Sequence, residues 1–421
     1  MRYVKPHFYD DFKCIADKCP DTCCAGWQIM IDEESLERYE CRKSGKTGPD
    51  KRFTEPLNEA LMERWNETGS EEQIRFEERL KKSIDWQEGS FYQNNGRCAM
   101  LNEKNLCDLV IYKGEEWLCN TCDRYPRHIE EFDGLREMSL SLSCPVAADM
   151  MLQGQEPMQF IAEEDEEPEP LEEEFEDFDF LLFTQLADAR TVLFEIVQNR
   201  RIPIMQRMKT ILVFGRQLQE CLDENRLFDM EEVIEAFATE KVSDVDIFTI
   251  ENSVSTEDGL CEHAVFVAME KGRQDFQQIR EGFERLERLE RLRGDWTAVL
   301  DEAGETLYDG GYERYKLITE AFAGREDSEV QDMEVFLEQI LMFFLYTYFC
   351  GAVYDDCIFS KVALAVFSAF YIQEFVMCKW FLSDKHIDKQ DCIRIAYRYA
   401  REVEHSDENL VSLEEWLLEK M

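Results

Sequence analysis

The chain has 421 residues, of which 44% are hydrophobic and 33% are charged, a balance typical of a globular protein with more than one core. Its formal net charge of −44 disfavours binding to nucleic acid or to an anionic membrane surface, because phosphate would be repelled rather than neutralised. Such a surface attracts lysine-bearing partners, although the same charge also serves solubility alone.

The first residues argue against secretion. Residues 1–11 contain no apolar core segment and no small-residue cleavage site, so they do not form a secretory signal. We therefore expect a cytoplasmic protein with reduced thiols and no membrane insertion. The longest uncharged apolar run, from Ile340 to Tyr354, has 15 residues, which is short of the ~20 that a spanning helix needs. We predict that it forms a buried helix.

Cysteines are crowded near the N-terminus, where nine of the chain's 16 lie in two groups with only Cys41 between them. The nine are Cys14, Cys19, Cys23, Cys24, Cys98, Cys107, Cys119, Cys122 and Cys144. In a reducing compartment this crowding favours thiolate ligation of zinc or an iron–sulfur cluster over disulfides. Nine thiols exceed the four that one site needs. Either there are two sites, or some of these cysteines are small buried apolar residues.

Residues 1–155 are predicted to form a cysteine-rich metal-binding or iron–sulfur-binding domain with little strand. The stretch 53–80 is read as helical, with Leu57, Leu61 and Trp65 every fourth residue. The run 108–112, followed by Lys113 and Gly114, predicts a short strand and a turn. Ligation of a metal suits such a domain, because the ligands supply order that a small core does not.

An acidic stretch separates this region from the rest of the chain. Residues 163–179 contain 12 acidic residues in 17. Like charges and two prolines do not pack into a core, so we predict an acidic linker over residues 156–180.

Residues 181–421 are predicted to form a large helical domain, which makes the fold mainly α. An apolar stripe from Leu182 to Val197 predicts a first helix that ends near Ile202 and Pro203. Three Glu-Arg-Leu triplets over residues 284–292 indicate a short helical stripe. Further helices are predicted at 331–354, 360–383 and 388–404. A last one follows Ser406 and Asp407.

Three stretches resemble the flagellin lysine-N-methylase family. The first reads Tyr3-Val-Lys-Pro-His-Phe-Tyr and continues to Cys19-Pro-Asp-Thr-Cys23-Cys24-Ala-Gly-Trp27. The second reads Leu118-Cys119-Asn-Thr-Cys122-Asp-Arg-Tyr125-Pro126-Arg127-His128 and ends at Cys144-Pro145. The third combines Gly351-Ala-Val-Tyr354-Asp355 with Tyr399-Ala-Arg401-Glu402-Val-Glu404-His405-Ser406-Asp-Glu-Asn409-Leu410. Ala400 is a small departure, since the family has Ser there. The cysteine block is also similar to small zinc- or iron-chelating proteins.

The resemblance implies S-adenosylmethionine-dependent N-methylation of lysine side chains on flagellin. It also implies an iron–sulfur cluster at the thiolates, with 4Fe–4S preferred and zinc as the alternative. Methyl transfer is a displacement that needs a neutral amine, and at pH 7 deprotonating lysine costs about 4.6 kcal/mol. Neither a GxGxxG fingerprint nor a P-loop is visible, so no motif locates the cofactor pocket.

The best polar constellation lies near the C-terminus. If residues 390–405 are helical, Tyr397, Arg401, Glu404 and His405 share one face. Arg401 is the candidate for binding the cofactor's carboxylate, and Glu404 or His405 is the candidate for polarising the amine. The alternative is a salt-bridged helix end whose next helix is capped by Ser406 or Asp407.

Three more residues complete the predicted site. Tyr399, from the same signature, joins the catalytic candidates. Tyr354 and Asp355 follow the apolar run and are candidate cofactor-binding residues. The competing hypothesis is a non-catalytic zinc- or iron-binding module that docks a protein partner. A flagellin-binding, chaperone-like factor is a further alternative.

Overall fold

The computed structural model describes residues 2–40, 70–164, 178–238 and 273–420, without the side chains of residues 70–74, 273–275 and 327. Three features of the sequence fall outside these ranges. They are Cys41, the stripe of Leu57, Leu61 and Trp65, and most of the acidic stretch 163–179. The described start of the predicted linker contains a strand, Phe160–Glu164.

Helices dominate the described residues, as predicted for a mainly α fold. The strands are β1 (Arg2–Pro6), β2 (Ile29–Met30), β3 (Ile84–Asp85), β4 (Ser90–Phe91), β5 (Gln93–Asn94), β6 (Arg97–Cys98), β7 (Arg127–Phe132), β8 (Leu135–Leu140) and β9 (Phe160–Glu164). The first helices are α1 (Glu33–Glu40), α2 (Ser70–Lys82), α3 (Asp108–Lys113), α4 (Asn120–Arg124), α5 (Pro145–Leu152), α6 (Phe180–Val197), α7 (Ile204–Asp223) and α8 (Met230–Ala238). The later helices are α9 (Arg273–Glu287), α10 (Gly294–Ala303), α11 (Gly311–Ala323), α12 (Asp327–Tyr348), α13 (Ala352–Asp355), α14 (Ile358–Leu382), α15 (Lys389–Glu404) and α16 (Asp407–Glu419).

The chain divides into two compact units. The helical unit comprises Met1–Phe12, Ile129–Ser143 and Ala147–Met421, and the cysteine-rich unit comprises Lys13–His128 and Cys144–Val146. The chain therefore leaves the helical unit soon after β1 and returns to it at residue 129. This division differs from the predicted ranges 1–155, 156–180 and 181–421, because β1, β8 and β9 group with the helices.

A four-stranded sheet with the order β7-β8-β1-β9 belongs to the helical unit, apart from Arg127 and His128 at the start of β7. Strand β1 pairs in parallel with β8, placing Arg2 opposite Leu135, and antiparallel with β9, placing Arg2 opposite Glu164. The Tyr346 hydroxyl on α12 donates to the Val4 carbonyl oxygen over 2.7 Å and so fastens β1 to the helices. Periodicity along the sequence did not predict this sheet, because its pairings join distant segments.

A buried ion pair also connects the sheet to the helices. The Arg190 guanidinium, on α6, donates through both terminal nitrogens to the two carboxylate oxygens of Glu137, on β8. Burial opposes the charge on Arg190, but the nearby Glu137 carboxylate raises the pKa of the guanidinium. Two-point pairing of this kind fixes orientation as well as distance.

Helix α14 forms the centre of the helical core and packs against α7, α12 and α16. Every residue from Ile358 to Ile372 is buried. A Cβ atom at Gly215 on α7 would lie 2.9 Å from a methyl carbon of Val362, so glycine permits the close approach of these helices. The sequence of α14 carries few charges because most of its length is buried, although Leu382 at its end is exposed.

Two segments are long and apolar enough to cross a membrane by length and composition alone, Ser328–Asp355 and Ile358–Leu382. In the structure 83% and 94% of their most apolar stretches are buried within the protein. Such burial is that of core helices, and it agrees with the buried helix predicted over Ile340–Tyr354.

The predicted C-terminal helices correspond to α12, α14, α15 and α16. The Ser406 hydroxyl accepts from the Asn409 N–H over 3.2 Å and caps α16, a role that the alternative interpretation of this region assigned to Ser406 or Asp407. The predicted helix 331–354 is interrupted, because α12 ends at Tyr348 and a tighter turn covers Phe349–Gly351 before α13.

Two local predictions are wrong. Residues 108–112 form helix α3 rather than a strand, and the helix ends where Gly114 adopts φ 92°. A short apolar run does not distinguish a strand from one helical turn. The Glu-Arg-Leu stripe is helical only as far as Glu287, where α9 ends, although Leu289 remains buried.

The cysteine-rich unit has a small core of its own. A three-stranded sheet with the order β2-β4-β3, the β5-β6 hairpin and helices α1–α4 surround it. The buried Tyr39 hydroxyl donates to the Trp117 carbonyl oxygen over 2.5 Å. Arg79 forms an ion pair with Asp108 and donates to the Ala99 carbonyl oxygen over 2.8 Å.

Candidate functional site

The predicted C-terminal site lies at the end of helix α15, within the helical unit. The Asp388 carboxylate caps the start of this helix by accepting from the Asp391 N–H over 2.7 Å. Ala396 and Ala400 are fully buried, which places one side of the helix against the core. The last turn then carries Arg401, Glu404 and His405 to the loop 141–143 that follows strand β8.

Arg401 is 1% exposed, and its Nε donates to the Ser143 carbonyl oxygen over 2.9 Å. Its guanidinium carbon lies 5.7 Å from the centre of the Tyr397 ring. The structure thus brings together Tyr397 and Arg401, two members of the predicted face. In this arrangement the guanidinium holds a loop of the protein, whereas the sequence predicted that it binds the cofactor's carboxylate.

Glu404 is the carboxylate of this cluster. Its Oε2 accepts a hydrogen bond from the Ser141 hydroxyl over 2.8 Å. Tyr348, the last residue of α12, also hydrogen-bonds to Glu404, and burial together with this carboxylate raises the pKa of Tyr348 well above its usual value. Tyr348 is therefore a neutral donor, and Glu404 is a carboxylate with hydroxyl partners that is suited to hold an amine.

His405 meets the same loop, since its Nε2 lies 2.8 Å from the Ser143 Oγ. Burial and the positive charges of Arg401 and Arg293 lower the pKa of His405 to about 3. The imidazole is therefore neutral at physiological pH. A general base works best when its pKa lies near the operating pH, so His405 is better suited to neutral hydrogen bonding than to taking a proton from lysine.

Tyr399 lies away from this loop. It is fully buried, its hydroxyl donates to the Ser368 Oγ over 3.2 Å, and Trp296 packs edge-on against its ring. Burial raises the pKa of Tyr399 above its usual value. The side chain contacts α14 and α10, so the structure separates it from the face that carries Arg401 and Glu404.

Tyr354 and Asp355 use their polar groups at other places. Tyr354 is 54% exposed, and its hydroxyl donates to the Glu131 carbonyl oxygen over 2.6 Å. Its ring stacks on Phe132 with the ring centres 5.9 Å apart. Asp355 forms an ion pair with Lys361 over 2.6 Å. Their assignment to cofactor binding stays a prediction.

A different side of α15 holds the turn that follows α9. The Glu402 Oε2 accepts from the Leu292 N–H over 3.0 Å. The Asn409 side-chain amide donates to the carbonyl oxygens of Glu402 and Glu290 over 2.7 and 3.0 Å. The Ser406 hydroxyl donates to the Glu290 carboxylate over 3.1 Å. The end of α15 is thus fixed between two loops.

Beside this turn is a cleft that we call the Glu402 cleft, lined by Arg293, Asp295, Trp296, Arg398 and Glu402. Asp295 accepts from the Arg398 Nη2 over 2.8 Å and from the Arg293 Nε over 3.1 Å. Burial raises the pKa of Glu402 to about 7. Spacing along the sequence did not identify Glu402 as a site residue. The available signal was that Arg398 and Glu402 stand four residues apart on one helix.

Sequence reasoning also missed an acid in the core. Glu374, on α14, is 4% exposed and accepts from the hydroxyls of Tyr308 and Tyr315 over 2.9 and 3.1 Å. Burial raises its pKa to about 7. The signal was a lone acid within a long apolar segment. Each carboxylate oxygen has a tyrosine donor, so the group is internally complete.

Five of the nine candidate thiols share the core of the cysteine-rich unit. Cys98 and Cys119 belong to the core itself, and Cys24, Cys107 and Cys122 pack against it. Cys119 directly precedes helix α4, and hydrogen bonding from Cys122 lowers the pKa of its thiol despite burial. A thiol of this kind is the better ligand, because metals bind the thiolate.

The remaining candidates lie differently. Cys14 is exposed, and its sulfur accepts from the Ala16 N–H over 3.4 Å. The Cys19 thiol donates to the Asp21 carbonyl oxygen over 3.2 Å. The pKa of the Cys107 thiol is raised mainly by burial, and Cys23 lies close enough to raise it a little further. Cys144 is buried.

The chemistry of the shared thiols suits zinc or an iron–sulfur cluster, both of which accept four cysteine ligands. Their positions do not form a ready site: within residues 2–40, 70–164, 178–238 and 273–420, no three His, Cys, Asp or Glu side chains are grouped closely enough to hold a metal ion. The nine-cysteine ligand set therefore remains a prediction.

Comparison with known proteins identifies the family. A family model described as the FliB lysine N-methylase C-terminal domain matches residues 190–421, which is more than half of the chain. The chain belongs to the FliB lysine N-methylase family. The resemblance found in the signature residues is thereby confirmed. The matched range contains Arg398, Arg401, Glu402, Glu404 and His405.

Individual relatives are more distant. The flagellar biosynthetic protein FliU of Salmonella muenchen is 26% identical over 149 residues, which are 35% of this chain and 76% of FliU. Lysine-N-methylases of Salmonella choleraesuis and Salmonella typhimurium are each 27% identical over 150 residues, 35% of this chain. The match spans only 32% of the length of these two enzymes. No solved structure matches the chain.

Proposed function

We propose that this protein transfers a methyl group from S-adenosylmethionine to lysine side chains of flagellin. The observation that carries the proposal is the family match over residues 190–421, which includes the polar end of α15. The names of the relatives add lysine N-methylation and flagellar biosynthesis as their own activities. The proposed location is cytoplasmic, where flagellin and the methyl donor are both present before export.

The reaction defines what the site must do. The lysine nitrogen attacks the methyl carbon, the carbon–sulfur bond breaks, and its electron pair stays on sulfur as a neutral thioether. The methylated nitrogen then carries the positive charge that sulfur has lost, and the one proton released overall is the one that left the lysine ammonium before the attack. Because lysine is protonated at neutral pH, the enzyme must offset about 4.6 kcal/mol to present the free amine.

Glu404 is the proposed partner of the lysine amine. A carboxylate that already accepts from Ser141 and Tyr348 is held in position, so it can orient the nitrogen and receive its proton. Neutral His405 supports the Ser143 side of the loop without adding charge. Arg401 positions this loop through the Ser143 carbonyl oxygen. We thus assign Arg401 and His405 to positioning.

Charge favours this substrate class. The net charge of −44 raises the encounter rate with a lysine-bearing protein and repels nucleic acid. Lysines on the surface of flagellin would be drawn to the acidic surface before any specific contact forms. This contribution should weaken as salt screens the charges.

We also propose that the shared thiols of the cysteine-rich unit hold an iron–sulfur cluster, with zinc as the alternative. Cys98, Cys119 and Cys122 are the preferred ligands, with Cys24 or Cys107 as the fourth. A bound cluster or ion would supply cross-links to a small core. These thiols would have to move to reach one centre.

The test uses anaerobically purified protein, S-adenosylmethionine and the host's own flagellin, with intact mass as the readout. Increments of about 14 Da on lysine, absent when the methyl donor is omitted, establish the transferase. Unchanged flagellin from protein with full metal occupancy removes the proposal. It would then favour a metal-binding module that docks a partner.

A further inference from the structure

The Glu402 cleft is a feature of the helical unit that the proposed chemistry leaves without a role. We propose that this cleft binds the α-ammonium and α-carboxylate groups of an amino acid. On the proposed function, these groups are those of the methionine end of S-adenosylmethionine. The assignment differs from the one made from the sequence, where Arg401 was to bind that carboxylate.

Two unpaired atoms of opposite type carry the inference. The Glu402 Oε1, an acceptor, and the Arg398 Nε, a donor, are both buried and have no hydrogen-bond partner among the described residues. The two residues are neighbours at positions i and i+4 of α15, and both line the same cleft. Leaving a buried polar atom unpaired costs about 1–3 kcal/mol, so a ligand that supplies both partners is favoured.

The arrangement of charge matches a zwitterion. The guanidinium groups of Arg293 and Arg398 both donate to the Asp295 carboxylate, so two positive charges meet at one wall of the cleft. A carboxylate of the ligand would pair with these positive charges. Glu402 lines the same cleft and offers a carboxylate oxygen to an ammonium group.

Depth sets the orientation of the ligand. Glu402 and Trp296 are only 2% and 5% exposed, so they form the floor. The Arg398 and Asp295 side chains are 33% and 43% exposed and lie at the mouth. The cleft has room for about one water-sized group, which is the size of an ammonium. The ammonium therefore enters to the floor beside Glu402, and the carboxylate pairs with Arg398, whose Nε is buried but whose side chain reaches the mouth.

Arg401 is less suited to this task. Its guanidinium is 1% exposed and already donates to the Ser143 carbonyl oxygen. Binding a carboxylate there would require the loop 141–143 to give up this contact. Arg398 is reached from solvent and still has a donor to offer, so it recognises the carboxylate at lower cost.

The first experiment changes the ligand and leaves the protein intact. Calorimetric titration compares S-adenosylhomocysteine, which has the amino acid end, with 5′-methylthioadenosine, which lacks it. Free methionine is the third ligand. We expect S-adenosylhomocysteine to bind at least about tenfold more tightly than 5′-methylthioadenosine, a difference of about 1.4 kcal/mol. Equal affinities would overturn the proposal, because the amino acid end would then contribute nothing.

The second experiment locates the recognition. We expect Glu402→Gln and Arg398→Gln to weaken binding of S-adenosylhomocysteine at least about tenfold while leaving 5′-methylthioadenosine unchanged. Arg394→Gln, one turn earlier on α15, is the matched control and should bind like the wild type. Unchanged affinity in both cleft variants, with circular dichroism showing intact helix, would place the amino acid end elsewhere. Arg398→Lys serves if the Gln variant fails to fold.

The inference rests on the proposed function only for the identity of the ligand. If flagellin is methylated and the cleft variants keep their affinity, the inference fails and the function stands. If methionine binds through Glu402 and Arg398 but flagellin is never methylated, the inference stands and the function fails. If no ligand with an α-amino acid group binds, the inference is overturned.

Discussion

The Arg401 Nε donates to the carbonyl oxygen of Ser143 over 2.9 Å, which joins the last turn of α15 to the loop after β8. Replacing Arg401 by Met should lower the free energy of unfolding by about 2–3 kcal/mol, because a buried charge-assisted hydrogen bond is lost and a carbonyl is left unpaired. Urea unfolding measures the change. Arg394→Met, where the side chain is 50% exposed, should stay within about 0.5 kcal/mol. Equal losses in both would contradict the positioning role.

Asn409 should also contribute strongly to the free energy of unfolding. Its side chain bonds to the carbonyl oxygens of Glu402 and Glu290 and accepts from the Glu290 N–H over 2.8 Å. We expect Asn409→Ala to cost about 2–4 kcal/mol of stability, since three backbone partners lose their bonds. Thermal unfolding next to Glu415→Ala, an exposed residue of the same helix, provides the comparison. A small effect at Asn409 would mean that solvent replaces these bonds easily.

His405 should make the free energy of unfolding depend on pH in the acidic range. Its pKa falls from about 6.5 in the unfolded chain to about 3 in the folded one, so the unfolded state takes up a proton first. The stabilisation is fully present above pH 6.5 and is lost as the pH falls from about 6.5 towards 3. His405→Gln should flatten this part of the curve of unfolding free energy against pH. A variant with the same slope as the wild type would show that the imidazole is not buried neutral.

Glu374 should give the free energy of unfolding the opposite dependence on pH. Its pKa rises from 4.5 to about 7 on folding, so the folded state holds the proton longer. Glu374 therefore contributes least to the free energy of unfolding above about pH 7. Its contribution increases as the pH falls from about 7 to 4.5. Glu374→Gln should gain stability relative to the wild type at about pH 8 but not at about pH 5. Glu374→Ala should lose stability at both values, because Tyr308 and Tyr315 lose their acceptor.

Cysteine variants should separate ligands from bystanders. We expect Cys119→Ser and Cys122→Ser to lose bound iron or zinc in anaerobic preparations, since both thiols belong to the shared core. Cys14→Ser, at an exposed thiol, should keep it, as should Cys350→Ser in the helical unit. Metal and sulfide analysis gives the readout. Loss of metal in Cys14→Ser would extend the ligand set beyond the core.

Much of the helical unit was predictable from periodicity. The stripe from Leu182 to Val197 predicted α6, because a helix with one buried side repeats every three to four residues, but the helix ends at Val197 rather than near Ile202 and Pro203. The prediction of a strand at 108–112 was wrong because four or five apolar residues fit a strand or a helical turn equally well. Only the end of this segment was predicted correctly, at Gly114, which has a positive φ of 92°.

The site was predictable in part. Spacing placed Arg401, Glu404 and His405 at one helix end, and the structure brings them to the same loop. Spacing did not show that the loop would come from residues 141–143, since such contacts depend on tertiary folding. Glu402 was missed because it lies on another side of the same turn, and its partner Leu292 is 110 positions away.

The sheet has a consequence for where this family's domain begins. The segment that defines the family starts at residue 190, within helix α6, whereas β1, β8 and β9 precede it. A polypeptide limited to 190–421 would leave Arg190, Tyr346 and Arg401 without Glu137, Val4 and Ser143. We therefore expect that the stretch matched by the family model does not fold on its own. It depends on residues from the first few positions of the chain.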